Sequence, residues 1–316
     1  MRLLFVRLGF CLLLVYCQST LAAPWFTGPI LAPGGITIPK GHTNFEMYTF
    51  YTLDTGRYNN RGKWIHTLTD NSKVLNPVFS HGILNNVDIQ YSVPYVFNRN
   101  HGKEKHDFGD PAVTLGYQFL RQKDSKWLPN LRVTLQEIIP IGEYKQLEPS
   151  LNGTDATGIG SYQTAFGLNF QHLAKWSEEH YLRTRFVVNY IAARVVDVHG
   201  LSVYGGTPFT EGRIKPGAMW TADLAGEFTL TQNWALVMEG FTSHRQATHF
   251  KGTVGEVSDG RPGSIGRGAQ VLYTLAPAIE YNFTSTIGLL AGTWFTVRGH
   301  NATHFNTYVV ALNMFW

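Results

Sequence analysis

Apolar and polar residues alternate with a period of two along almost the whole chain after residue 40. One such segment reads Val87, Asp88, Ile89, Gln90 and Tyr91. This alternation is typical of β-strands that have one apolar and one polar face. The segments are roughly 11 to 15 residues long, whereas strands of soluble proteins average about 5 or 6. Because a membrane-spanning strand needs about 9 to 11 residues, these segments are long enough to cross a bilayer.

We predict twelve strands, at residues 44–54, 73–83, 86–97, 108–121, 128–141, 160–172, 180–194, 216–229, 233–248, 268–283, 286–298 and 303–316. Long polar or glycine-rich connections (55–72, 98–107, 142–159, 195–215, 249–267) alternate with short ones (84–85, 122–127, 173–179, 230–232, 284–285), and only the last loop, 299–302, breaks the rule. Long external loops and short periplasmic turns are typical of outer-membrane barrels. We therefore expect an all-β fold, a transmembrane antiparallel β-barrel of about twelve strands formed by residues 43–316.

The composition agrees with this fold class. Charged residues make up 15% of the chain, against about 25% in soluble domains. No apolar stretch after the N-terminus has the length of a membrane helix, and only helices and closed barrels satisfy all backbone groups in lipid. The formal net charge of +4 is scattered, so we expect no nucleic-acid partner.

The N-terminus has the layout of a secretory signal peptide. Arg2 and Arg7 are followed by the apolar run Leu8–Tyr16 and by the small-residue site Thr20-Leu21-Ala22. The run is too short to span roughly 30 Å of hydrocarbon. We expect residues 1–22 to be removed on export, and both cysteines (Cys11, Cys17) with them.

Residues 23–42 precede the first strand and contain Pro24, Pro29, Pro33 and Pro39. Proline is excluded from central strands, so this segment is not part of the sheet. The sequence leaves two alternatives: a periplasmic tail, or a plug folded into the mouth of the barrel.

Charged residues fall mostly on the polar face, which we assign to the lumen because Arg or Lys on the lipid face costs roughly 2–4 kcal/mol at midplane. The candidate substrate-binding residues of the lumen are Glu46, Asp88, Gln90, Arg132, Gln136, Arg183, Arg185, Asp223, Glu227, Glu239, Glu280 and Arg298. Arg183 and Arg185 share a face and could together hold a carboxylate or phenolate. The alternative is an internal salt-bridge network that fills and stiffens the barrel. Glu137 is out of phase, which a bulge or a place near the outer rim would explain.

The last strand alternates as Tyr308, Val310, Leu312, Met314 and Trp316. An aromatic terminus on an unpaired apolar strand would promote aggregation of a soluble protein, whereas in a barrel the strand is paired and the ring joins an aromatic girdle. This ending also resembles the targeting signal of outer-membrane proteins. We expect outer-membrane lipid, lipopolysaccharide and the outer-membrane assembly machinery as partners.

Catalysis is not expected. The adjacent pairs Ser80-His81 and Ser243-His244 would point to opposite faces of their strands. Histidines are frequent in the loops, but nothing in their spacing brings ligands together, so we predict no metal and no cofactor.

Four motifs resemble the outer-membrane transporter family of the meta-pathway of phenol degradation. They are Phe108-Gly109-Asp110 with the strand end Gly116-Tyr117-Gln118-Phe119, Pro140–Tyr144, Thr157–Gln163 and Pro277–Phe283. The resemblance runs from about residue 40 to the C-terminus. It implies inward passage of aromatic or other hydrophobic compounds, and a distant similarity to long-chain fatty-acid transporters. It supplies no established binding residues and does not imply phenol itself.

Two functions follow as hypotheses. The first is a passive outer-membrane transporter or channel for small hydrophobic or aromatic compounds. The second is a structural or surface-interaction barrel with a closed lumen, whose extracellular loops bind a partner. The sequence does not decide the cargo, the open or plugged state, or the oligomeric state.

Overall fold

The computed structural model describes residues 24–123, 127–257 and 259–316, so the predicted signal peptide lies outside the described residues. The strands there are β1 (Thr43–Tyr58), β2 (Trp64–Leu84), β3 (Val87–Ser92), β4 (Tyr95–Asn100), β5 (Lys103–Phe108), β6 (Ala112–Leu120), β7 (Asn130–Ile138), β8 (Gln163–Lys175), β9 (Tyr181–Ala193), β10 (Val196–His199), β11 (Glu211–Lys215), β12 (Met219–Thr229), β13 (Trp234–Arg245), β14 (His249–Thr253), β15 (Gln270–Leu275), β16 (Ala278–Asn282), β17 (Ile287–His300) and β18 (Thr303–Phe315). One short 3-10 helix spans Pro149–Leu151. None of the helices in these ranges is long and apolar enough to cross a membrane.

The strands close into a barrel. Each wall strand pairs antiparallel with its neighbours in the chain, and β1 pairs with both β2 and β18, which seals the ring. Three wall strands are each interrupted near a proline, at Pro94 between β3 and β4, at Pro111 between β5 and β6, and at Pro277 between β15 and β16. Proline lacks the N–H that the ladder needs, which explains the breaks. With these pairs joined, the described residues form twelve wall strands, and the predicted fold class is confirmed.

Two predicted long loops are wrong. Residues 55–72 belong mostly to β1 and β2, which turn at 59–63, and residues 98–107 belong mostly to β4 and β5, which turn at 101–102. These hairpins extend the wall beyond the apolar band, where both strand faces can meet water. Strands with two polar faces lose the two-residue alternation, so they look like loops in the sequence.

The other three long connections are present, at one end of the barrel, which we call the loop end; the opposite end, with the short connections, is the turn end. Two of the long connections, 195–215 and 249–267, contribute β10, β11 and β14 to a separate three-stranded antiparallel sheet. Val198 and Ile214 of this sheet are fully buried. The loops therefore form a folded structure at the loop end.

The outer face of the wall is apolar. Leu224, Met238 and Val310 are each about half exposed or more, while their neighbours in the strands are buried. Aromatic pairs form near both ends, for example Tyr190 with Trp220, whose ring centroids lie 4.6 Å apart. Exposed apolar side chains around a polar interior are the reverse of a soluble protein and are typical of a lipid-facing barrel.

Motif residues converge at the loop end beside the interrupted strand β5–β6. The Asp110 carboxylate accepts hydrogen bonds from the backbone N–H of Gly142 (2.9 Å) and of Ile159 (2.8 Å). The carbonyl oxygen of Glu143 accepts the N–H groups of Thr157 and Gly158. Three motifs singled out in the sequence thus meet in one junction that fixes the base of the loop at 139–162.

Candidate functional site: the barrel lumen

Eleven of the twelve candidate residues point into the lumen. The most deeply buried are Glu227, Glu239 and Glu280, with no exposed surface, and Asp88 with 1%. Gln136 donates to Thr114 on the inner face of the neighbouring strand (2.9 Å), and Glu46 and Gln90 line the lumen cavity described below. The alternation therefore located the inner face correctly along most of the wall.

Arg298 is the exception, and its assignment to the lumen is wrong. The pairing of β15 with β17 shifts between Tyr273 and Thr274, so that Val297 is an extra residue and Arg298 lies opposite Tyr273. Tyr273 is 49% exposed on the outer face, and residues that pair across an antiparallel ladder share a face. The bulge reverses the phase and turns Arg298 outward near the loop end.

Glu137 also lies on the outer face. It is the next-to-last residue of β7, at the loop end, and it accepts a hydrogen bond from the Thr164 hydroxyl (2.6 Å). The ladder between β6 and β7 is regular at this point, so its position near the rim, and not a bulge, accounts for it.

The first inner ion pair joins Arg132 on β7 to Asp88 on β3. Arg132 Nη2 lies 2.6 Å from Asp88 Oδ1, and both side chains are at least 96% buried. The strand between them, β6, carries Gly116 at this position, and a Cβ there would overlap both side chains. Glycine is needed here because the ion pair reaches across it.

The second ion cluster contains both arginines that were predicted to hold a ligand carboxylate. Arg183 Nε donates to Glu227 Oε2 (2.6 Å), and Arg185 Nε lies 3.4 Å from the same oxygen. The carboxylate held by the two guanidinium groups is therefore the protein's own. Their other contacts are with the N-terminal segment: Arg185 donates to the Ala32 carbonyl (2.7 Å), and Arg183 lies 4.3 Å from the centre of the Phe26 ring.

The N-terminal segment, residues 24–42, lies inside the ring of strands. It leaves β1 at the turn end, where Thr43 N–H donates to the Trp316 carbonyl (2.8 Å), and returns along the inner wall. Its backbone N–H groups donate to inward side chains: Ile38 to Asp88, Thr37 to Gln118, Gly35 to Gln171, Leu31 and Ala32 to Glu239, and Thr27 and Gly28 to Glu280. Side chains of the wall thus replace the sheet partners that this extended, proline-containing segment lacks.

Gln118 and Gln171 hold the segment but were not among the candidates. Gln118 accepts Thr37 N–H (2.7 Å) and donates to the Gly35 carbonyl (3.0 Å). Both glutamines alternate in step with the inward residues of their strands, and this alternation could have identified them as lumen residues. They were missed because the candidates were chosen mainly by charge.

One side of the lumen is apolar, which was not expected. Ile30 of the segment is 4% exposed and packs with inward residues of the wall: Val237, Ala276, Leu290, Val309 and Ala311. The segment is therefore held by hydrogen bonds on one side and by apolar packing on the other. Apolar burial of this kind stabilises a docked segment by about 25 cal/mol per Å².

A cavity of about 450 Å³ remains beside the segment, lined by the wall strands β1, β2, β3 and β18 and by inward side chains of β7, β8 and β9. Inward residues of β1, namely Glu46, Tyr48 and Phe50, line it, together with Asn76 on β2 and Asn313 on β18. Ser285, an exposed residue of a short turn, is also part of its lining, which places one side of the cavity at the turn end.

Comparison with solved structures places this fold among outer-membrane barrels. The COG4313 outer membrane channel from Pseudomonas putida F1 is similar, with a TM-score of 0.68 and 13% identity over 91% of this chain and 100% of that chain. The beta domain of the Bordetella autotransporter Brka (TM-score 0.46, 9% identity, 86% and 98% covered) and the TodX monoaromatic hydrocarbon channel (TM-score 0.36, 10% identity, 88% and 90% covered) are too dissimilar to support an inference.

No family model matches the chain, and no curated protein matches it. The resemblance to the family of the meta-pathway of phenol degradation stays a prediction. The likeness to the Pseudomonas channel shows that this chain has the fold of an outer-membrane β-barrel.

Proposed function

We propose that this protein is a passive channel of the bacterial outer membrane for small hydrophobic or aromatic compounds, and that residues 24–42 form a plug that narrows its lumen. The observation that carries the proposal is the cavity of about 450 Å³ inside a closed barrel, bounded on one side by a segment outside the sheet. A channel from Pseudomonas putida F1 has the same fold, which supports it.

In this proposal the turn end faces the periplasm, the signal peptide is removed on export, and the last strand with Trp316 guides assembly. Lipid and lipopolysaccharide surround the apolar outer face. A solute enters at the loop end, passes between the plug and the wall of β1–β3, and leaves at the turn end. Apolar residues of the cavity, such as Phe50 and Val78, contact the ring of an aromatic solute.

The plug can move between residues 24 and 38, whereas residues 40–42 are fixed by backbone hydrogen bonds to Gly82 of β2. Its backbone bonds described above go to side chains of the wall, and each such bond contributes only about 1–3 kcal/mol. Displacement of the plug would widen the passage without opening the sheet.

Liposome uptake tests the channel and the plug together. The chain from residue 24 is compared with a variant that lacks residues 24–38, using benzoate and benzyl alcohol as solutes and protein-free liposomes as the control. We expect measurable uptake with the full chain and faster uptake without the plug. Uptake equal to that of protein-free liposomes in both variants would refute the channel.

A second function, surface interaction through the loops, is favoured by one observation. Two of the long connections, 195–215 and 249–267, build a small sheet with buried residues, which gives the loop end an ordered surface. Planar-bilayer recordings separate the two functions. Absence of conductance with and without residues 24–38 would favour the surface function.

A further inference from the structure

We propose that the lumen cavity is a binding site for small organic ammonium ions, with Glu46 as the counter-charge. This inference rests on the proposed function only in that the cavity belongs to the same passage. It assigns a preferred charge to the solute, which neither the fold nor the structural comparison supplies.

The charge partners of the lumen carboxylates single out Glu46, because Asp223, which also forms no ion pair, does not line the cavity. Asp88 is paired with Arg132, and Glu227 with Arg183 and Arg185. Glu239 and Glu280 accept backbone N–H groups of the plug. Among the described residues Glu46 forms no ion pair within 4 Å.

The hydrogen-bond partners of Glu46 are neutral. The Tyr48 hydroxyl donates to Glu46 Oε1 at 3.1 Å, and the Asn313 side chain on β18 is a second partner. A carboxylate has about four acceptor sites, so about half of its capacity remains for a ligand that donates. A primary ammonium group offers three donors and a positive charge, and such charge-assisted bonds are about twice as strong as neutral ones.

The aromatic rings beside Glu46 also favour a cation. Tyr48 and Phe50 alternate on the inner face of β1, with ring centroids 5.7 Å apart and ring planes 12° apart. The faces of aromatic rings carry negative electrostatic potential and attract ammonium groups. A ligand with an ammonium group and an apolar body can contact both the carboxylate and these rings.

Asn76 adds a further acceptor. It lies directly opposite Tyr48 on β2, and its Oδ1 is buried without a hydrogen-bond donor. A buried carbonyl oxygen without a donor is unfavourable unless a ligand or water supplies one. The β1–β2 side of the cavity therefore presents acceptors and ring faces.

The opposite side of the cavity contains cations, which could favour an anion instead. Arg132, Arg183 and Arg185 line it, but each is paired with a carboxylate, as described above. The volume of about 450 Å³ lies within the range of ligand pockets, about 300–1,000 Å³. A ring with a short aminomethyl arm is a suitable probe.

The test measures binding to the purified chain from residue 24 in detergent by calorimetry. The probes are benzylammonium, benzyl alcohol and benzoate, which share a ring and differ in charge. We expect benzylammonium to bind with a Kd of about 1 mM or below, and the other two at least about tenfold more weakly. Failure of benzylammonium to bind, or equal binding of benzoate, would overturn the assignment.

Variants identify the residues. Glu46→Gln should weaken benzylammonium binding at least tenfold and leave benzyl alcohol unchanged, whereas Glu178→Gln, which removes an exposed carboxylate from the turn at 176–180, should change neither. Tyr48→Phe keeps the ring and should preserve binding, while Phe50→Leu should weaken it several-fold. An unchanged affinity in Glu46→Gln would contradict the proposal, provided that the variant keeps the compact electrophoretic mobility of a folded barrel.

This assay and the uptake assay can fail independently. Binding that depends on Glu46, without uptake by liposomes, would refute the channel and keep the site. Uptake of benzyl alcohol without preferential binding of benzylammonium would refute the site and keep the channel.

Discussion

Replacement of Glu239 by alanine should release the plug. Glu239 has no exposed surface, and its carboxylate accepts Leu31 N–H (3.0 Å) and Ala32 N–H (2.5 Å). Alanine leaves both N–H groups without an acceptor, at about 1–3 kcal/mol each. Water in the lumen can replace part of this loss, so we take the lower value of about 1 kcal/mol for each N–H group, or about 2 kcal/mol in total. This change raises the fraction of molecules with an undocked plug about 30-fold.

A cysteine at position 32 reports this fraction. Ala32 is 2% exposed, so a thiol there reacts with a maleimide only after the plug leaves the wall. The natural cysteines lie at positions 11 and 17, outside the chain produced from residue 24. We expect the labelling rate of Ala32→Cys to rise about 30-fold when Glu239→Ala is added, provided that redocking is faster than labelling.

The matched control is Glu178→Ala, which removes a carboxylate from an exposed turn and should leave the labelling rate unchanged. A rate within twofold of the parent in Glu239→Ala would show that these hydrogen bonds do not hold the plug. Labelling of the parent at the rate of a free thiol would show that the plug is not docked at all.

Three further substitutions test the wall. Gly116→Ala places a methyl group against the Asp88–Arg132 ion pair and should lower the free energy of unfolding by about 1–3 kcal/mol in urea titrations in detergent; an unchanged midpoint would contradict the close fit. Arg132→Met leaves the buried Asp88 carboxylate unpaired and should lower the free energy of unfolding by about 3–5 kcal/mol. Adding Asp88→Asn should restore most of this free energy, and no recovery in the double variant would count against the pairing. Asp110→Ala removes the acceptor of two loop N–H groups and should speed protease cleavage within residues 142–159 without changing barrel unfolding; equal cleavage rates would show that the junction does not fix the loop.

Much of the barrel was predictable because every strand that crosses lipid must present apolar side chains on its outer face. Where a strand meets lipid on one side and the lumen on the other, alternation predicts both the strand and the face of each residue. On β12, for example, Asp223 is 5% exposed and points inward, whereas the next residue, Leu224, is 61% exposed on the outer face. Beyond the apolar band this requirement ends, and the β1–β2 and β4–β5 hairpins could not be distinguished from loops.

The interior was less predictable because its partners are distant in sequence. Arg183 and Arg185 were correctly placed on the inner face. The sequence around them does not show that Glu227 and the plug are their binding partners. The outward turn of Arg298 depends on one extra residue in a ladder, which leaves no composition signal. Prolines excluded residues 23–42 from the sheet, yet the choice between tail and plug depended on acceptors elsewhere in the chain.

The route of the plug along the inner wall constrains how the molecule is built. Thr27 bonds to Glu280, a residue 253 positions later in the chain, and the ring closes only when β18 meets β1. Contacts of such long sequence separation form late, because the entropy of closing the intervening chain must be overcome first. Thr27 therefore cannot dock on Glu280 until β16 has been synthesised, and this part of the N-terminal segment waits without its partner while most of the wall is made.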